Sequence, residues 1–102
     1  MKVSKAVLAT SVFMLSGLVQ AQAPSAAQVR SWAAACANCH GTNGQAQPGM
    51  ASLAGVNKDD IVKNMQDFKA GRKPATIMHQ LAKGYSDDQI QAIAAYFAAQ
   101  KK

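Results

Sequence analysis

The sequence predicts an all-α fold of about four helices. Apolar residues recur at helical spacing in several segments, capping residues stand where those segments begin, and no segment alternates apolar and polar residues as a strand does. The first predicted helix spans residues 25–38, with Ser25 as N-cap and Gln28 at the third position of a capping box. Its predicted buried face consists of Val29, Trp32, Ala33 and Cys36.

The second predicted helix follows a glycine-rich segment at 41–55, which carries turn residues and no apolar period. The helix spans residues 57–70, begins at the N-cap Asn57 and ends at Gly71. Its predicted apolar stripe consists of Ile61, Val62, Met65 and Phe68.

Two helices are predicted in the remaining chain. The third spans residues 75–83 after a proline, and we expect Gly84 to end it with a positive φ. The fourth begins at Ser86, and Gln89 completes a capping box there. Its predicted core face consists of Ile90, Ile93, Ala94 and Phe97.

The N-terminus has the features of a secretory signal peptide. Lys2 and Lys5 precede an apolar run that is too short and too diluted by small polar residues for a membrane anchor. We expect cleavage after residue 21, with Ala23 as the alternative, so that 1–21 is the leader and 22–102 is one domain without an integral membrane segment. The expected location is the periplasm.

The segment Cys36-Ala37-Asn38-Cys39-His40 matches the C-x-x-C-H pattern of c-type haem attachment. In this interpretation Cys36 and Cys39 form thioethers to one haem c, and His40 is the proximal iron ligand. Residues three and four apart share a helix face, so one planar group can meet all three side chains. A domain of about 80 residues also needs such a covalent staple, because its core is small.

Other uses of the same cysteines are less well supported by their context. A disulfide between Cys36 and Cys39 closes too small a loop to stabilise the chain much. A thioredoxin-like dithiol expects a βαβ setting, which the sequence lacks. A zinc site with His40 and His79 crowds adjacent ligands, which such sites normally space more widely.

The distal iron ligand has four candidates in the expected mature chain. Met65 belongs to a core stripe, and Met50 follows His40 too soon for the chain to reach the opposite face of a haem. Met78 arrives later, after changes of chain direction, and is the preferred ligand. His79 is its rival, because neighbouring helix positions point about 100° apart and only one can face the iron.

The charge pattern is mildly basic. The net charge is +6, without the dense basic stripe of a nucleic-acid-binding protein. Lys69, Arg72 and Lys73, here called the basic rim, precede Met78 closely in sequence. They either guide an acidic redox partner or belong to an ordinary solvated loop.

With these motifs in place, the chain resembles the class I cytochromes c over the expected mature region. The resemblance lies in Cys36–Gly41, Leu53–Gly55, Met78 and Ala95–Phe97. It implies a small fold of about four helices around one covalent haem. It also implies one-electron transfer without enzymatic turnover, with redox proteins such as a flavoprotein dehydrogenase or a terminal oxidase as partners. More narrowly, residues 75–86 resemble the axial-methionine segment in the cytochrome subunit of flavocytochrome c sulfide dehydrogenases.

The chain departs from the family at one position. The resemblance implies a proline, two residues before the Leu-Ala pair, whose carbonyl accepts the N–H of the proximal histidine. Here that position is Ala51, and Pro48 lies three residues earlier. Either residue is a candidate to support His40. The function is expected to be that of a free periplasmic carrier, with a dehydrogenase subunit as the alternative.

Overall fold

A computed structural model describes Gly17 and residues 23–102 of the chain. The predicted leader, Gly17 apart, and its cleavage point lie outside these described residues. The described part contains four α-helices and one short 3₁₀ turn and no strand, which confirms the all-α prediction. The helices are α1 (Ala26–His40), α2 (Lys58–Lys69), α3 (Met78–Lys83) and α4 (Asp87–Ala98).

Helix α1 has the predicted N-cap but not the complete capping box with Gln28, and it runs further than predicted. The Ser25 hydroxyl accepts a hydrogen bond from the backbone N–H of Gln28 at 3.2 Å, as an N-cap does. The helix continues to His40, two residues beyond the predicted end, and stops at Gly41, whose φ is 82°. The attachment motif therefore occupies the last turns of a regular helix.

Helix α2 confirms both of its predicted ends. The Asn57 side chain caps the first turn by accepting from the N–H of Asp59 at 2.9 Å. Gly71 follows the C-cap residue with a φ of 76°, a conformation that glycine adopts without steric cost. Two acidic residues in the first turn, Asp59 and Asp60, suit the positive end of the helix dipole.

Helix α3 is shorter than predicted at its start. It begins at Met78 rather than residue 75, and its N-cap residue, Ile77, forms no side-chain cap because it has no side-chain oxygen. Gly84 follows the last residue of the helix as predicted, but the expected positive φ was wrong. Its φ is −76°, so it lies in the right-handed region and ends the helix without a left-handed turn.

Helix α4 lies at the centre of the core. Ser86 and Gln89 form the predicted capping box, each side chain bonding the other's backbone N–H. The helix packs against α1 and α2, and α2 also packs against α3. Trp32 is only half-buried at the edge of this core. The buried cluster contains Ala33, Ile61, Val62, Met65, Ala82, Ile90, Ile93, Ala94 and Phe97.

The loop between α1 and α2 is held against α4. It contains the 3₁₀ turn Thr42–Gly44, and the Gly44 carbonyl accepts from the N–H groups of Leu53 and Ala54 at 2.8 and 3.1 Å. The Tyr96 hydroxyl of α4 donates to the Asn43 side chain at 2.9 Å. These contacts fold the loop back beside the end of α1.

Within the part of the chain that the structure describes, every helix is too short or too polar to cross a bilayer.

Candidate haem site

One cavity of about 420 Å³ lies between the end of α1, the loop after it, α2 and α3. Its volume falls in the range of cofactor sites, roughly 300–1,000 Å³. Most of its lining is apolar, which suits a large flat hydrophobic group. Among the apolar lining residues are Leu53, Val56, Ile61, Phe68, Ile93 and Phe97.

The attachment motif supplies one wall of this cavity. Cys36, Cys39 and His40 all line it, as expected for side chains three and four positions apart on one helix. Cys36 is half-buried and Cys39 is exposed, and neither thiol forms a disulfide. Both thiols are therefore available for thioether formation at the same cavity.

His40, the predicted proximal ligand, has a defined hydrogen-bond partner. His40 Nδ1 lies 2.6 Å from the backbone oxygen of Ala51. Because a carbonyl oxygen only accepts, Nδ1 must carry the proton and donate it. A neutral imidazole then keeps an unprotonated Nε2, which is the form that binds a metal. Ala51 is thus the residue that supports His40, and Pro48 is not.

The chemistry of the thiols argues against a redox-active dithiol. Burial raises the pKa of the Cys36 thiol above its usual range, which disfavours the reactive thiolate. A zinc site is also unsupported. Among Gly17 and residues 23–102, no three histidine, cysteine or acidic side chains gather as metal ligands.

The four candidates for the distal ligand differ in their surroundings. Met78 is half-buried at the first position of α3 and lines the cavity. Met65 also lines it, as a buried member of the core, and Met50 lines it from an exposed position. His79 lies outside the lining, and its Nε2 contacts the Lys73 carbonyl oxygen.

Tyr85 is a cavity residue that the sequence interpretation overlooked. It follows α3, lines the cavity and is partly buried. Burial raises the pKa of its hydroxyl, and the nearby Cys36 adds to that effect. The sequence feature that could have indicated this position is an aromatic residue close after the third predicted helix.

The basic rim is largely paired within the molecule. Lys69 donates to the Tyr85 carbonyl at 2.6 Å and lies 3.4 Å from an Asp87 carboxylate oxygen. Arg72 lies 2.9 Å from the Asp67 carboxylate. Lys73 donates to the Asn64 side chain at 2.8 Å. These residues connect structural elements, so the interpretation as a guide for acidic partners finds no support in their contacts.

Comparison with known proteins agrees with this geometry. Residues 22–97 match the family model described as cytochrome C oxidase, cbb3-type, subunit III. The chain belongs to this family and is a class I c-type cytochrome. The cytochrome subunit of sulfide dehydrogenase from Chlorobaculum tepidum is 40% identical over 62 residues, which are 61% of this chain and 56% of that protein.

Two further relatives show how the matches differ in extent. Cytochrome c4 of Pseudomonas aeruginosa is 40% identical over 88 residues, covering 85% of this chain and 43% of the relative. Cytochrome c-553 of Helicobacter pylori is 33% identical over 92 residues, covering 88% of this chain and 96% of the relative. The chain spans about half the length of the first two relatives and nearly all of the third.

Membership in the family implies a covalently bound haem c, and the residues of the cavity fit that group. On one wall, the cytochrome has two unpaired thiols and an imidazole whose Nδ1 atom, rather than Nε2, forms the hydrogen bond to Ala51. Apolar side chains form most of the remainder. Cytochromes of this kind carry electrons.

Proposed function

We propose that this cytochrome is a periplasmic one-electron carrier. In this proposal Cys36 and Cys39 would attach the haem, and His40 and Met78 would bind its iron. The main support is that all four side chains line one apolar cavity, and that the bond to the Ala51 carbonyl uses the Nδ1 atom of His40, so that Nε2 is the nitrogen left for the iron.

The haem supplies the redox chemistry, because its iron alternates between two oxidation states. The protein contributes the ligands and the environment. A methionine thioether and apolar walls favour the ferrous state and raise the potential. The hydrogen bond from His40 to Ala51 holds the imidazole in one orientation.

The optical spectrum of the purified cytochrome tests the ligand set. The oxidised protein should show the weak charge-transfer band from methionine sulfur to iron, and Met78→Ala should abolish it. Met50→Ala is the matched control, since Met50 lines the same cavity and should leave the band intact. Loss of the band in Met50→Ala with retention in Met78→Ala would assign the ligand to Met50.

Cell fractionation tests the location. The haem-stained protein should appear in the periplasmic fraction, with a mass that corresponds to cleavage after Ala21. Recovery of the full-length chain in the membrane fraction would contradict both the location and the cleaved leader.

A dehydrogenase subunit is the second candidate function. It is favoured by the similarity to the sulfide dehydrogenase cytochrome and by the resemblance of residues 75–86 to such subunits. A related observation is the 38% identity to a protein named thiosulfate dehydrogenase electron acceptor, over 69 residues. Affinity purification from the native host distinguishes the two: a flavin-containing chain in fixed ratio supports the subunit, and an isolated cytochrome supports the carrier.

A further inference from the structure

We infer that His79 is a positioning residue, which orients Met78 toward the cavity by tying the start of α3 to Lys73. This inference rests on the proposed role of Met78 as an axial ligand. It assigns a separate function to the neighbouring imidazole, which sequence alone leaves as a rival ligand.

The first observation is the hydrogen bond between His79 and the backbone of Lys73. The Nε2 atom of His79 contacts the Lys73 carbonyl oxygen, and because that oxygen only accepts, Nε2 must donate its proton. The bond closes a loop around residues 74–78. Since neighbouring helix residues point about 100° apart, a His79 side chain held at Lys73 leaves Met78 directed elsewhere, and Met78 lines the cavity.

The second observation is how little else holds this loop. Among the described residues, Pro74, Ala75 and Thr76 take part in no hydrogen bond, either through backbone or through side chain. Helix α3 also has no side-chain cap at Ile77. The path of the chain into Met78 therefore depends on the contacts at the two ends of the loop.

The third observation is that the acceptor end is itself anchored to α2. The Lys73 ammonium donates to the Asn64 side chain at 2.8 Å and lies 5.4 Å from the centre of the Phe68 ring. The His79 ring packs against the same Phe68, with centroids 6.2 Å apart. We call these four residues, Asn64, Phe68, Lys73 and His79, the distal clasp.

Competition by imidazole measures the clasp in the haem-loaded protein. Added imidazole binds ferric iron only when the native distal ligand leaves, so its apparent affinity reports how firmly Met78 is held. His79→Phe keeps an aromatic ring against Phe68 and removes the donor. We expect it to bind imidazole roughly threefold to tenfold more tightly, the factor that a net hydrogen bond is worth. His79→Gln, which restores an N–H donor, should return the affinity toward the native value.

Several controls separate this inference from the proposed function. Met78→Ala decides the ligand by its own spectrum: a retained charge-transfer band would overturn the ligand assignment and the clasp together. If Met78→Ala loses the band and His79→Phe binds imidazole as the native protein does, only the clasp is wrong. A lower melting temperature in His79→Phe with unchanged imidazole affinity would likewise mean a merely structural role. Should His79→Phe not fold, Lys73→Met serves instead, with a smaller rise in affinity expected and an unchanged affinity counting against the clasp.

Discussion

The two sides of the haem site are built in different ways. On the proximal side, Cys36, Cys39 and His40 belong to one regular helix, and the loop after it is tied down by several hydrogen bonds. On the distal side, Met78 begins a helix of six residues after a stretch that has few bonds of its own. The position of His40, the proposed proximal ligand, is therefore set by local structure, and the distal segment depends on contacts with α2.

This contrast indicates where the protein is most sensitive. A perturbation on the proximal side should affect folding, because that side connects α1 to the core. A perturbation on the distal side should affect ligand exchange and leave the fold largely intact.

The largest effect is expected from removing both attachment thiols. In Cys36→Ala with Cys39→Ala, we expect a largely unfolded chain at neutral pH, because the protein core alone is small. Its largest fully buried side chains in the described part are Phe97 and Ile90. Thermal unfolding followed by circular dichroism measures this. Asn38→Ala, an exposed change between the two thiols, is the control and should unfold cooperatively. A cooperative transition in the double variant would show that the protein core is sufficient without attachment.

The next effect compares two glycines, one on each side. A Cβ on Gly44 would lie 2.7 Å from the Ala54 backbone nitrogen and 2.8 Å from the Phe97 ring, with φ at 80°. Gly44→Ala should therefore reduce the free energy of unfolding by about 2–4 kcal/mol. Gly71, before the distal segment, has a similar φ of 76° and no atom within 4 Å of such a Cβ. Gly71→Ala should cost only about 1 kcal/mol.

Denaturant unfolding of the two haem-loaded variants gives this difference. Equal losses would mean that the loop around Gly44 relaxes freely, and the proximal side would then be no more rigid than the distal side.

The same contrast explains how much was predictable from the sequence. The N-caps at Ser25, Asn57 and Ser86 could be predicted because a cap and its helix are neighbours in the sequence. The attachment motif and the core face of α4 could be predicted for the same reason, since the residues of each are close in sequence and lie at helical spacing.

Features that depend on contacts between residues far apart in sequence could not be predicted. The choice of Ala51 over Pro48 rests on the path of a loop, and the pairing of Lys69 with Asp87 joins residues 18 positions apart. The late start of α3 at Met78 is a further case. Residues 75–77 do not form helix despite their helix propensity, since they line the cavity instead.

A smaller effect is expected from Asp67, which supports the chain leading to the distal segment. Hydrogen bonds from Lys63 and then Arg72 hold the pKa of its carboxyl below the ordinary value of 3.8. A lowered pKa in the folded state stabilises the protein above that ordinary value, and the contribution is lost as the pH falls through the folded pKa. Asp67→Asn should therefore melt slightly below the native protein at pH 7.

The pH dependence checks the cause of this difference. The two melting temperatures should converge as the pH falls from 3.8 through the lowered pKa of the folded state, because the native carboxyl becomes protonated over that range. The charge-transfer band should be unchanged at pH 7. A difference that persists in acid would show that Asp67 acts by packing rather than by charge.

The smallest effect is expected at Pro48, and it sharpens the description of the proximal side. Pro48 and Gly49 occupy the centre of a turn in which the N–H of Met50 donates to the Gln47 carbonyl at 3.1 Å, and Gly49 has a φ of 93°. This is the geometry of a type II turn, in which proline sets the backbone angle. The role of Pro48 is thus separate from that of the Ala51 carbonyl, which accepts a hydrogen bond from His40.

If His40 binds the iron as proposed, that hydrogen bond makes its imidazole a stronger donor, and losing the bond should raise the reduction potential. Pro48→Ala leaves the Ala51 carbonyl in place, so its potential should equal that of the native protein. Ser52→Ala is the contrasting variant. The Ser52 hydroxyl accepts from the Ala46 N–H at 3.0 Å, beside Ala51, and removing it should loosen the acceptor and raise the potential slightly. A raised potential in Pro48→Ala alone would mean that the turn, rather than the Ser52 contact, keeps Ala51 against His40.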